Sequence, residues 1–271
     1  MPDYLPLVTA IVSFAFFLSV AVQYKRRRKT HQLLWSVALL FYSASACMEF
    51  LMNGDVLGAT PLLFRVYYVL AAPLVGFLGA GVVYLLARRT FARLFLGFVV
   101  VFSLALAVTG FTAHIDAQSL ASSFNGPLAN GFMAASTALP MSVRVYAIVL
   151  NSVGGLALIG GALLSFAWDR SRKYNLFIVI GGILPMLGGS MLGFLNYPDA
   201  FFEFELGGTV FLFLGFILSA RYITRRDRAK AEIRTDSSTL TPAGRDALPL
   251  SSHRLDGNQR FLPWLNAKYS L

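Results

Sequence analysis

Seven stretches of apolar residues alternate along the chain with short polar segments, several of them strongly basic. They run over about 5–23, 32–52, 61–87, 94–113, 144–168, 175–196 and 206–222. About 20 apolar residues in a helix cross a hydrocarbon core of about 30 Å. The pattern predicts an all-α polytopic membrane protein: a bundle of seven transmembrane helices over residues 1–224, then a cytoplasmic tail over 225–271. The stretch RYITRRDRAKAEIR at 221–234 is basic and helix-compatible, and suits the inner headgroup layer. The segment 235–271 is rich in Ser, Thr, Pro and Asp without an apolar period, and is expected to be disordered. FLPWL at 261–265 is its one apolar exception, suited to docking or to lipid contact.

Composition agrees with this pattern. The chain has 271 residues, of which 56% are hydrophobic and 13% charged, with mean hydropathy +0.64. A soluble domain of this length has too much surface to be so apolar. The net charge of +10 is unevenly placed. Seventeen Lys and Arg fall in the connections on one side and only Arg65 and Arg144 on the other, with four more in the distal tail. By the positive-inside rule the N-terminus lies outside and the C-terminus in the cytoplasm, in the cell membrane. The basic charge is thus a topology signal, with anionic lipid as its natural partner, and it calls for no nucleic acid. The cluster KRRRK at 25–29 follows the first apolar run rather than preceding it, the reverse of a cleaved signal peptide.

Chemistry-bearing residues are sparse. The lone cysteine, Cys47, excludes an internal disulfide and suits a packing role. All five lysines lie outside the spans, so a retinal Schiff base has no attachment point. His31, His114 and His253 are too scattered to clamp a haem or build a zinc site. There is no nucleophile–base pair at membrane depth, no Walker loop and no kinase signature. The expectation is a non-enzyme without a cofactor.

Glycine marks the later spans. GGILPMLGGSMLGFLNYP at 181–198 places Gly181-Gly182 and Gly188-Gly189 seven residues apart on one face, with Gly189 and Gly193 in GxxxG spacing. Pro185 lies between the pairs and removes one helical hydrogen bond. The fifth span carries Gly154-Gly155 and Gly160-Gly161, so spans five and six are expected to pack closely. Pro185, Gly188 and Gly189 form either a structural kink or a hinge that moves when something binds.

Ionisable residues inside a span are costly, and each is a candidate site. Ala38, Tyr42, Ser45 and Glu49 share a face of span two, and Arg65, Tyr68, Ala72, Gly76 and Gly79 a face of span three. Arg144 and Asn151 share a face of span five. Glu49, Arg65, Tyr68 and Asn151 form a candidate ligand pocket, or Glu49 and Arg65 simply pin the hairpin as an ion pair. Asp199, Glu203 and Glu205 in YPDAFFEFELGG, acids alternating with aromatics, suggest a hydrated rim or a short interfacial segment before span seven, with metal capture only weakly indicated. Tyr4, Trp35, Tyr67, Trp168, Tyr174, Tyr197 and Tyr222 read as the interfacial aromatic belt. The outer connection 114–143, rich in Ser, Asn, Gly and Pro with a short helix at 131–139, is a lid or a plain connector.

Three stretches carry a family resemblance: LLWSVALLFYSASACMEFL, LLFRVYYVLAAPLVGFLGAGVVYLL and ILPMLGGSMLGFLNYP. Together they resemble the seven-transmembrane N-terminal sensor region of prokaryotic histidine kinases, departing from it at Gly189, where that family often has Asn. About 47 residues follow the membrane domain, too few for a kinase domain. The resemblance therefore implies a stand-alone sensor or receptor-like module. Such a module answers a small ligand or the membrane state and signals through a cytoplasmic protein by its C-terminal tail. A small-solute transporter or channel subunit, or a scaffold subunit, are the alternatives.

Overall fold

The computed structural model describes residues 4–195 and 197–239; within these, the side chains of 136–138, 190, 193, 195, 199 and 223–239 are not described. Gly193 of the GxxxG spacing, most of the expected disordered tail, and FLPWL fall outside what is described. Among the described residues the chain is all-α. Its helices are α1 (Leu5–Arg27), α2 (Thr30–Leu51), α3 (Pro61–Leu86), α4 (Arg89–Thr112), α5 (Ala117–Ser123), α6 (Leu128–Ala138), α7 (Met141–Trp168), α8 (Tyr174–Leu195) and α9 (Asp199–Thr239).

Six of these are long and apolar enough to cross a membrane: α1, α2, α3, α4, α7 and the 200–222 part of α9. In α8 the shorter apolar helix Tyr174–Gly189 has the same character. The outward faces are apolar as well. Leu94, Val101, Leu104 and Val108 run exposed along α4, and Leu156 of α7 and Phe194 of α8 are almost bare. A soluble protein does not present such continuous apolar surface to water. The molecule is a multi-pass membrane protein.

Local sequence sets the helix ends. Arg28 closes α1 in the left-handed conformation (φ 52°), its N–H donating to Tyr24 O, while Lys25, Arg26 and Arg27 sit where the helix dipole is negative. Part of the basic cluster is therefore helical, and α2 starts two residues later. Thr60 caps α3, its hydroxyl accepting from Leu63 N–H (3.3 Å), with Pro61 in the first turn. Asp116 caps α5 by accepting from Ser119 N–H (2.8 Å).

Within residues 4–220, α3 lies between α2, α4 and α7. The α2–α3 contact is tied by Trp35, whose indole N–H donates to Leu78 O (3.1 Å) over the surface of Gly81. Trp35 is thus a cross-helix tie rather than only a belt residue. The glycines find other partners than expected. Those of α7 meet α3: a Cβ on Gly154 would lie 2.6 Å from Gly76 N and Val75 O, and one on Gly79 2.5 Å from Gly154 O. Those of α8 mainly meet α9: a Cβ on Gly181 would lie 2.7 Å from Gly208 O, and one on Gly188 3.1 Å from Phe201 O. Gly182 alone of these faces α7, with Ile159 3.0 Å away, and Gly189 and Gly160 face open space. Small residues let backbones approach where lipid gives little drive for helix association. Here they do so at α3–α7 and α8–α9, while spans five and six meet mainly through larger side chains.

The 114–143 connection is more than a polar link. Leu120, Phe132, Ala135 and Leu139 are buried in one core with Phe64, Val143, Leu192 and Phe202. Phe132 of α6 lies 4.7 Å from the ring of Tyr67 and 5.2 Å from that of Phe124. The segment is a packed cover on that end of the bundle.

Candidate functional site

A half-open cavity of about 500 Å³ lies between α2, α3, α7, α8 and α9. One wall is small and apolar, with Ala71, Ala72 and Gly155. The helical spacing that buries these faces also brings in Tyr42, Ser45 and Glu49 from α2, at 42, 45 and 49 on one stripe. Tyr67 and Tyr68 enter from α3, Asn151 from α7 and Pro185 from α8. From α9 come Phe201, Glu205 and Leu212, again a single stripe.

The polar end holds two acids. Glu49 is 3% exposed and Glu205 9%, and the two carboxyl groups lie close enough to act on each other. The Tyr67 hydroxyl also bears on Glu49, and that of Tyr42 on Glu205. Tyr42 donates to the backbone oxygen of Glu205 (3.2 Å), which ties α2 to α9, and the Thr209 hydroxyl donates to the same oxygen from within α9 (3.0 Å). The Oε2 atom of each glutamate has no hydrogen-bond partner. Among the described residues no Lys, Arg or His lines the cavity.

Three of the four residues expected from the sequence, Glu49, Tyr68 and Asn151, line this cavity together. The Asn151 amide donates back to Ala147 O within its own helix (3.0 Å), leaving its oxygen as the remaining polar group. Arg65 does not join them, nor does it pair with Glu49. Its Nη2 donates to Ala113 O (2.7 Å) at the end of α4, where the last carbonyls lack helical partners and the dipole is negative. Arg144 lies beside Tyr68 without lining the space. Of the expected hinge residues, Pro185 borders the cavity, Gly188 packs on α9 and Gly189 does neither.

Two site residues escaped the sequence reading. Tyr67 was assigned to the belt, yet it is covered by Phe132 and turned to Glu49. Glu205 was assigned to a hydrated rim, yet α9 begins at Asp199, so Glu205 is already inside the helix. The signal for it was the 201–205–208–212 stripe, which continues span seven's apolar face backwards.

Arg65 now has a structural role, and its removal has a defined expectation. Arg65→Ala leaves the Ala113 carbonyl without its charged donor and should cost about 1–2 kcal/mol. Arg65→Lys should recover part of this. Thermal unfolding of the purified variants in detergent measures both; equal melting of Arg65→Ala and wild type would show that the contact contributes nothing.

The fold and site define a class: an all-α, multi-pass membrane protein with an internal cavity carrying an acidic pair. Comparison of the chain with family models, with curated proteins and with solved structures gives no match.

Proposed function

We propose that the chain is a membrane sensor module that binds a small ligand in this cavity and passes the change on through α9. One observation carries the reading: the cavity is bordered by Pro185 of α8 and by Phe201 and Glu205 of α9, so a ligand there touches both helices of the contact that Pro185 and Gly208 share. Such a response needs two packing states with different ligand affinity. Helix α9 supplies Glu205 and, later in its sequence, the basic segment 221–234. The likeness of spans two, three and six to sensor regions of histidine kinases supports the same role, with a separate cytoplasmic signalling protein as receiver.

In this proposal α8 is a seventh crossing. Its 22 residues make about 33 Å of helix, enough for the hydrocarbon core. Seven crossings put every basic connection on the cytoplasmic side and the α5–α6 cover outside, in the plasma membrane.

A second reading has its own support. Paired carboxyls buried among membrane helices also suit a transporter of small solutes. Deleting 235–271 separates the two. The sensor reading expects ligand binding to persist while the cellular response to the ligand is lost. Ligand flux through the purified protein in sealed vesicles would overturn it in favour of transport.

A further inference from the structure

Glu49 and Glu205 are two acids more than nine-tenths buried, close enough to act on each other, and lining one cavity. Neither Oε2 atom has a partner. Among the described residues the titratable groups acting on the pair are Tyr42 and Tyr67, with no cation. Ionised carboxyls buried without a cation are costly in any protein and more so in a membrane, unless a proton neutralises them or something of opposite charge joins them. The rest of the cavity favours a particular kind of cation. Four aromatic rings, from Tyr42, Tyr67, Tyr68 and Phe201, line the same cavity as the two acids, and aromatic faces attract organic cations. The opposite wall of Ala71, Ala72, Gly155 and Leu158 offers hydrocarbon contact and no hydrogen bonds from its side chains. A bare metal ion would ask for more oxygen ligands than two carboxyls and would leave that wall unused.

We infer that the cavity takes a small organic ammonium ion, its charge held between the carboxyl groups of Glu49 and Glu205 and its carbon skeleton on the α3–α7 wall. The inference rests on the reading of the cavity as a ligand site and names the class of ligand. A volume of about 500 Å³ suits a compact amine. Anions are rejected by the acidic end. Neutral analogues of the same shape fill the wall but leave both glutamates unpaired, which is where discrimination arises.

The test uses the full chain in nanodiscs and three probes sharing one skeleton: phenethylammonium, 2-phenylethanol and 3-phenylpropanoate. Radiolabelled phenethylammonium should bind saturably, at least about tenfold more tightly than the alcohol, and the carboxylate should not displace it. Glu49→Gln and Glu205→Gln should each weaken ammonium binding by about tenfold or more and leave that of the alcohol within about twofold. Should either variant fail to fold, the three-probe comparison on the wild-type chain still decides. Equal binding of ammonium and alcohol overturns the charge assignment while leaving the cavity a ligand site. Saturable binding of none of the three overturns the assignment and the ligand-site reading together. Ammonium binding unchanged in both Gln variants places the cation elsewhere and overturns the inference.

Discussion

Gly154→Leu should yield no folded protein, whereas Gly160→Leu, six residues further along the same helix, should melt like the wild type. The difference lies in what faces each Cα. A Cβ at Gly154 would stand 2.6 Å from Gly76 N and from Val75 C and O, all backbone atoms of α3. Side chains can change rotamer to admit a new atom, but a neighbouring helix backbone can only move away. On the other side of the crossing Gly79 is equally tight, with 2.5 Å from its would-be Cβ to Gly154 O. Moving α7 outward would therefore open the whole α3–α7 contact, which also carries the Ala71–Gly155 wall of the cavity. Even Gly154→Ala should cost about 3 kcal/mol, the upper end for overpacking a core. At Gly160 nothing lies within 4 Å, so a leucine there meets lipid. Size-exclusion profiles and thermal unfolding in mild detergent measure the pair. Comparable yields and melting for the two leucine variants would show that the α3–α7 approach is not as close as described here.

These glycines also mark how far the sequence could be read. Their type and spacing announced close helix contacts, because small residues at helical intervals have few other uses in lipid. Their partners were not legible, since helical phase fixes which residues share a face but not which neighbour that face meets. Gly154 and Gly181 were expected to serve one interface and serve two. The site shows the same division. The stripe Tyr42–Ser45–Glu49 was visible from spacing alone, and with Tyr68 and Asn151 it lines the cavity. Arg65 was drawn to Glu49 because opposite charges near a short loop invite pairing. The competing attraction, the carbonyl at the end of α4, lies 48 residues away in sequence and leaves no local trace. Glu205 was missed for a related reason. An acidic residue beside an apolar run reads as the run's boundary, and only a partner such as Glu49 from another helix reveals it as interior.

Gly208→Ala should destabilise the protein by about 3 kcal/mol, and Pro185→Ala in the same chain should relieve part of that loss. A Cβ on Gly208 would lie 2.7 Å from Cδ and Cγ of Pro185 and 2.8 Å from Gly181 O. These two obstacles have one origin. Pro185 has no N–H, so the carbonyl four residues earlier, that of Gly181, lacks its helical donor. The chain places that oxygen against Gly208, where the absence of a side chain leaves Cα hydrogens as its nearest neighbours, a weak but favourable contact. Proline and glycine are thus complementary halves of one α8–α9 contact. Pro185→Ala alone restores the N–H and removes the ring, so helix propensity gained offsets packing lost, and its own effect on melting should be small. In the double variant the ring is gone and the Gly181 oxygen has a helical donor again, so the new methyl at 208 meets less resistance. The four melting temperatures form a double-mutant cycle, expected to be non-additive by about 1 kcal/mol or more in the direction of rescue. Strict additivity would mean that the Pro185 ring and Gly208 do not touch. Under the proposed sensor role the same variants bear on signalling, because Pro185 borders the cavity: a ligand acting through α8 would work through this contact, and filling it at 208 should then blunt the response even where binding survives.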